Sequence, residues 1–247
     1  MKISIIGYGI VGRATHHGLL NNQPVTVHDL SINTEQSVVY DSDIVFVCVP
    51  TNDWQDIDNV KNICQDIAEN SDAEIIIRCT VPPGTTNEIS KQVGKSVLFM
   101  PEFLRDRHWL ADCKAEQVLL GVDHNASTCI DQIVDCDIVK VSTNEAEFIK
   151  ISNNLYATMH IVFANHMYNW CNETETDYAN VKQLFQTFRN NQDYLECNEN
   201  LRGFGGKCLP KDLDFAIDCM KNLNINEEFF SAIKNDNNSW PITVRTD

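Results

Sequence analysis

Positive charge is scarce in this chain. Its 247 residues hold 19 lysines and arginines against 35 aspartates and glutamates, a formal net charge of -16 at pH 7. Such a field disfavours nucleic acid or an anionic membrane surface as a partner, and an anionic small molecule has to find a local basic pocket. No apolar run is long enough to cross a bilayer, and the N-terminus leads straight into a strand without a secretory leader, so the expected location is the cytoplasm. The ten cysteines are scattered with no Cys-x-x-Cys pair, which reads as reduced thiols and argues against zinc. The seven histidines show no ligand spacing either, and no metal is expected. Internal repeats and low-complexity tracts are missing too. What remains is an ordinary globular composition, 43% hydrophobic and 22% charged, at a length that suits one large domain or two small ones.

What is present begins at the N-terminus. Met1-Lys2-Ile3-Ser4-Ile5-Ile6 is a short apolar strand, followed by Gly7-Tyr8-Gly9-Ile10-Val11-Gly12 and a helical stretch from Arg13 to Leu20. Strand, Gly-x-Gly-x-x-Gly and helix in that order form the dinucleotide fingerprint. Gly7 allows the tight turn, Gly9 lets backbone approach a pyrophosphate, and Gly12 lets the helix pack on the strand. A second strand, Pro24 to Asp29, ends on an acid placed to bond an adenosine ribose 2′-hydroxyl. A carboxylate there repels a 2′-phosphate, so the expected cofactor is NAD rather than NADP.

Further apolar runs follow at Asp43–Val49, Glu74–Arg78, Ser96–Phe99, Val118–Gly121 and Asp137–Val141, with a helix around Ile57 to Ala68. Near-continuous apolar runs suit strands buried on both faces. Their cadence predicts an α/β fold, a Rossmann-like doubly wound sheet. Ligand loops in such sheets lie at the carboxyl ends of strands. Those ends hold Val49-Pro50-Thr51-Asn52, Cys79-Thr80-Val81-Pro82-Pro83-Gly84-Thr85 and Pro101-Glu102-Phe103-Leu104-Arg105-Asp106. Turn chemistry accounts for the prolines and glycines. It does not account for a hydroxyl, a carboxylate and an arginine gathered on one edge.

After Val141 the pattern turns helical, and a small all-helical domain is expected. Ser142 or Thr143 caps a helix from Asn144 to about Asn172, on which Lys150 and Asn154 share a face one turn apart. Phe148, Ile151, Leu155, Met159, Val162, Phe163 and Met167 give this helix more apolar surface than a small domain covers, and a homodimer through it is expected. A second helix spans Tyr178 to Phe188, and a polar connector, 189–202, leads to Gly203-Phe204-Gly205-Gly206-Lys207-Cys208-Leu209-Pro210-Lys211-Asp212. Glycines let the backbone pass close to a ligand. Cys208 is expected just ahead of a helix opened by Pro210, where unpaired N–H groups and the dipole favour thiolate. The polar tail from Asn235 onward is expected to fray.

Together these segments resemble the UDP-glucose/GDP-mannose dehydrogenase family, collinearly and over essentially the whole chain. The resemblance rests on Gly7 to Gly12, Val49-Pro50-Thr51, Cys79 to Thr85, Pro101 to Arg105, Ala146-Glu147 with Lys150 and Asn154, and Gly203 to Asp212. It implies an NAD-binding domain, 1–142, and a helical central domain, 143–247, that oxidise a sugar-nucleotide C6 alcohol to the acid in two hydride transfers. It also implies roles for particular residues. Cys208 is the covalent nucleophile, Lys150 and Asn154 stabilise oxyanion charge, Asp212 with Thr80 handles water, and Glu102 serves acid–base steps. Tyr8, Ile10, Val11, Val49, Pro50, Thr51, Thr80 and Glu102 join the glycines and Asp29 around NAD. Phe103, Leu104, Arg105, Gly203, Phe204, Gly205 and Gly206 meet the sugar nucleotide with Lys150, Asn154 and Cys208.

The resemblance also exposes departures. Family members continue into a third, nucleotide-gripping domain that has no counterpart here, Cys79 replaces a usual serine, and no arginine stands in register ahead of the glycine loop. Two other readings therefore stand beside an active enzyme: an enzyme half completed by a second chain, and an NAD-binding remnant without turnover.

Overall fold

The computed structural model describes residues 1–105, 108–114, 117–122, 128–189, 197–224 and 226–242. Asp106, half of the connector (190–196) and the last residues, 243–247, lie outside the described residues. The chain forms two compact units, Met1–Lys150 and Ile151–Asp247.

The first unit is a seven-stranded sheet in the order β2-β1-β3-β4-β5-β6-β7. The strands are β1 Ile3–Ile6, β2 Thr26–His28, β3 Ile44–Val47, β4 Glu74–Ile77, β5 Val97–Phe99, β6 Gln117–Gly121 and β7 Asp137–Val141. All four residues of β1 and of β3 are buried, as expected of parallel strands covered on both faces. One face packs Ile3, Ile5, Ile44, Phe46, Ile76 and Leu98 into a single core. Helix α1, Ile10–Ala14, continues as a π-helical turn, Thr15–Leu19. There the Thr15 hydroxyl donates to the Val11 carbonyl at 2.8 Å, a local bond that competes with regular helix. Helix α2, Trp54–Asn70, buries Ile57, Val60, Cys64 and Ile67, an apolar stripe at helical spacing, and Asp53 caps its first turn. Helix α3 spans Thr85–Val93 and the short α4 Trp109–Asp112.

The sheet reverses once. β5 and β6 run antiparallel and meet at Phe99 opposite Gly121, near their carboxyl ends. Because β7 is parallel to β6, the chain leaving β7 arrives beside the end of β5. Helix α5, Thr143–Glu173, starts there. Any Cβ on Gly121 would lie 2.9 Å from the Thr143 Cα and from the Ala146 Cβ, so the approach needs glycine. Of the two candidate caps it is Ser142 that serves. Its hydroxyl faces the Glu145 N–H at 3.3 Å while the Glu145 carboxylate accepts the Ser142 N–H at 2.8 Å, a capping box.

The second unit holds α6 Tyr178–Arg189, α7 Cys208–Asn222 and α8 Glu228–Asn238, with α5 from Ile151 onward. Its core joins Ile151, Leu155 and Val162 to Phe204, Leu213 and Ile233. Three expectations are corrected here. Helix α7 begins at Cys208, with Pro210 third, because proline is tolerated anywhere in a first turn whose N–H groups lack intrahelical acceptors. The tail is not frayed from Asn235: α8 runs to Asn238 and buries Asn237. The apolar face read for a dimer is divided: Ile151, Leu155 and Val162 are buried core, whereas Phe148 and Phe163 are exposed. Also exposed are Tyr156 and Trp170, each seven residues from Phe163.

Candidate functional site

Strand order places a switch point at β1, which has β2 on one side and β3 on the other. In open α/β sheets ligands bind outside the carboxyl ends of the strands at such a point. Gly7 has a φ of +87°, and a Cβ there would lie 2.6 Å from the Cys48 carbonyl oxygen. A Cβ on Gly12 would come within 2.1 Å of the Gly7 carbonyl oxygen, so helix and strand close up only with glycine. At Gly9 a Cβ would meet nothing within 4 Å. The loop is thus packed tight at both ends and open at its middle, which fits a pyrophosphate laid against the backbone. Asp29 helps to set it. One carboxylate oxygen accepts the Tyr8 N–H at 2.5 Å, and the other accepts the Ser31 N–H and hydroxyl at 2.8 and 2.6 Å. The Ser31 hydroxyl and the Tyr8 N–H hold the Asp29 carboxyl below its usual range against the opposing effect of burial.

Neighbouring loops end on the same edge. Thr51 after β3 and Thr80 after β4 are buried, while Val49 is half-buried and Pro50 exposed. Glu147, on the first turns of α5, reaches the loop beyond Thr80 and accepts the Gly84 N–H at 2.6 Å and the Thr86 N–H at 2.8 Å. Its carboxylate thereby satisfies orphan donors at the start of α3. Burial pushes the Glu147 carboxyl up, and these bonds oppose the rise.

The third loop carries Glu102. The Lys150 ammonium donates to the Glu102 carbonyl at 2.6 Å and to its carboxylate at 3.0 Å, while the other carboxylate oxygen accepts the Leu104 N–H at 2.7 Å. Burial works to raise the Glu102 carboxyl. Lys150, the Leu104 N–H and Arg78 outweigh it and hold the group below its usual range. Arg78 was not picked out from sequence. It is buried, and its Nε and one terminal nitrogen have no hydrogen-bond partner among the described residues. Arg78, Glu102, Phe103 and Leu104 help line a cavity of about 600 Å³. Phe103 is exposed and lies under the Lys150 ammonium, 5.6 Å from ring centroid to nitrogen. Arg105 makes a two-pronged ion pair with Asp112, another wall residue of that cavity, at 2.9 and 2.8 Å.

In the second unit the glycine loop leads into α7. Cys208 is the exposed first residue of that helix, and Asp212, one turn on, is fully buried. The Asn154 amide donates to one Asp212 oxygen, and Lys211 lies 3.3 Å from the other. That second oxygen accepts no hydrogen bond of good geometry among the described residues, so it keeps spare acceptor capacity. Gly203 and Phe204 are buried, Gly205 is half-buried and Gly206 exposed at a φ of +81°. Arg202 is tied back, donating to Asn165 at 2.7 Å and to Asn169 at 2.8 Å. Among the described residues no cluster of His, Cys, Asp or Glu is arranged for a metal ion, and no helix is long and apolar enough to cross a membrane.

A glycine cradle at the switch point of a mostly parallel sheet defines a Rossmann-like dinucleotide-binding domain. The chain belongs to the UDP-glucose/GDP-mannose dehydrogenase family: residues 22–135 match its NAD binding domain and residues 144–239 its central domain. The UDP-glucose 6-dehydrogenase of Campylobacter jejuni is 26% identical, over 86% of this chain and 66% of that protein. The GDP-mannose 6-dehydrogenase of Pseudomonas aeruginosa is 25% identical, over 83% of this chain and 52% of that protein. In fold, a UDP-glucose dehydrogenase from Pyrobaculum islandicum superposes with a TM-score of 0.82 at 21% identity, over 96% of this chain and 68% of that one. The chain spans 54% and 66% of the length of two curated relatives that it matches.

Proposed function

We propose that this chain is an NAD-dependent nucleotide-sugar dehydrogenase, oxidising the C6 alcohol of a UDP- or GDP-linked hexose to the carboxylate through Cys208. The observation that carries the reading is the buried Asn154–Asp212 pair one helical turn from Cys208, in a chain of this family. Residues 1–142 act as the NAD-binding domain and 143–247 as the central domain. NAD, when bound, accepts hydride in each of the two oxidations. Gly7, Tyr8, Gly9, Ile10, Val11 and Gly12 hold its pyrophosphate and Asp29 its adenosine ribose, with Val49, Pro50, Thr51, Thr80 and Glu102 toward the reacting end.

The Cys208 thiolate, favoured at a helix start, adds to the C6 aldehyde. A C–S bond forms and the carbonyl oxygen becomes the alkoxide of a thiohemiacetal. Lys150 and Asn154 stabilise that negative charge. Loss of the C6 hydride then leaves a thioester. Water adds to its carbonyl, Thr80 helps to orient that water while Asp212 takes its proton, and cleavage of the C–S bond frees the acid and returns the thiolate. Glu102, resting ionised between two cations, serves as base in the acid–base steps. Phe103, Leu104, Arg105, Gly203, Phe204, Gly205 and Gly206 contact the sugar nucleotide.

The test is a panel of UDP- and GDP-hexoses followed by NADH production at saturating NAD, with Cys208→Ser beside the native chain. The variant is expected to bind NAD normally and to release acid about 10³-fold more slowly or worse, because an ester is a poorer intermediate than a thioester. Undiminished acid formation overturns the covalent role. NAD binding with no turnover of any sugar overturns the activity.

The partner proposed is a second copy. Tyr156, Phe163 and Trp170 form an exposed stripe at seven-residue spacing on α5, and Phe185 of α6 lies beside it, 6.0 Å from Phe163 between ring centroids. Exposed apolar surface at that repeat suits helix pairing. Light scattering at micromolar concentration is expected to show a dimer that Trp170→Glu dissociates; a stable native monomer rules it out.

A further inference from the structure

The loop that precedes Cys208 is held by a residue that lies 33 positions further along the chain from Phe204. The Asn237 carboxamide oxygen accepts the Phe204 N–H at 2.6 Å, and the amide nitrogen donates to the Phe204 carbonyl at 3.0 Å. Both main-chain groups of a single loop residue are thus engaged by one side chain, as a neighbouring strand would engage them. The contact is dry: Asn237 is 4% exposed and Phe204 1%. Hydrogen bonds shielded in this way are strong, and unmaking them strands polar groups at full desolvation cost. The clamp also dictates its neighbour, because a Cβ on Gly203 would lie 2.6 Å from the Asn237 side-chain oxygen.

The clamp itself sits on a braced support. His166 of α5 lies 3.0 Å from Asp236 and packs edge-on against Trp240 at 5.2 Å, and the Arg202 guanidinium stacks over Trp240 at 5.6 Å. The last turn of α8 is therefore tied down on both sides of Asn237. Below it, Phe204 plugs the core formed with Leu213 and Ile233, so the loop is fixed by its side chain and by its main chain together.

We infer that Asn237 is the positioning residue that sets the glycine loop, and with it the first turn of α7 where Cys208 stands. This rests on the reading of Cys208 as nucleophile only for its relevance to turnover; the clamp can be tested without substrate. A loop held in one shape keeps the first turn of α7 formed around Cys208, where the positive end of the helix dipole favours thiolate, whereas a released loop lets that turn fray and weakens the thiolate.

The experiment is alkylation by iodoacetamide, resolved by peptide mass spectrometry, on the full chain and on Asn237→Leu and Asn237→Asp, across pH 6 to 10. Half-buried Cys113 of the first unit is the internal control. In Asn237→Leu, Cys208 is expected to react about 3- to 10-fold more slowly near neutral pH, with its profile moved to higher pH and Cys113 unchanged. Asn237→Asp keeps the acceptor but sets an oxygen against the Phe204 carbonyl, so Cys208 is expected to react more slowly there too. A folded Asn237→Leu whose Cys208 reacts as in the native chain overturns the inference. If neither variant folds, amide hydrogen exchange of the native chain decides. Phe204 is then expected to exchange as slowly as Ile233 in α8, and exchange at an exposed-loop rate overturns the clamp. Loss of the nucleophile reading would show instead as continued acid release by Cys208→Ser, which leaves these measurements untouched.

Discussion

The molecule contains two glycine loops that open helices, one in each unit, and they are built differently. The loop at Gly7–Gly12 continues a sheet: the Gly7 N–H donates to the His28 carbonyl at 2.9 Å, extending the β1–β2 pairing into the turn. The loop at Gly203–Gly206 continues none of the seven strands, and among the described residues a side-chain amide and a buried phenyl ring hold it. Both use a distant polar residue to accept one N–H, Asp29 for Tyr8 and Asn237 for Phe204. Asp29 is charged and sits at the rim, whereas Asn237 is neutral and enclosed. The comparison teaches that a loop continued from a main-chain ladder keeps its anchor half-buried at the rim, whereas a loop off the sheet buries its anchor.

Removing the plug of the second loop is the harshest test of that contrast. Phe204→Ala is expected to cost about 3–5 kcal/mol, the usual range for a buried phenylalanine. Urea unfolding followed by the far-ultraviolet signal measures it, and NAD binding by the first unit should survive. A loss below 1 kcal/mol would mean that the clamp alone suffices.

Crowding the first loop should cost less stability and more binding. Gly12→Ala forces a Cβ against the Gly7 carbonyl, an overpacking penalty of about 1–3 kcal/mol, and the shifted helix start should weaken NAD binding by roughly tenfold or more. Calorimetric titration with NAD gives the figure. Unchanged affinity would break the link between this close approach and the cofactor.

The smallest effect separates the two anchors by charge. Asp29 has a folded pKa below its unfolded value, so its contribution is present above about pH 4 and is lost as pH falls through the folded value. Asn237 does not titrate. As pH falls below about 4 the native chain should therefore lose more stability than Asp29→Asn, read from melting temperatures at each pH. Parallel curves for the two would show that Asp29 anchors nothing. The same variant, titrated with NAD and NADP, should narrow the preference for NAD, since the repelling carboxylate is gone.

Much of the first unit was legible because its signals are local. Apolar runs mark β1 and β3, and glycines at fixed offsets mark the turn between β1 and α1. The acid ending β2 announces itself by position. Cys208 was legible for the same reason, within a short glycine-rich word. Helix α5 was found at nearly its full length, but its faces were not. Apolar residues occur nearly all around it, so period alone could not tell core Leu155 from exposed Tyr156 beside it.

By itself the sequence determined the α/β pattern, the nucleotide cradle with Asp29, and the cysteine at the head of a helix, all consequences of short-range periodicity and steric need. Only the tertiary structure decided that β5 and β6 meet head to head, that Arg78 joins Lys150 beside Glu102, that Asn154 pairs with Asp212, and that Asn237 grips Phe204. One faint signal for the last existed, since Asn237 stands one turn after buried Ile233 on α8. In the run Asn235-Asp236-Asn237-Asn238 nothing else distinguishes it. The reason is physical: a buried polar pair is defined by what the fold brings to it from far along the chain, and neither partner carries a mark of the other in its own neighbourhood.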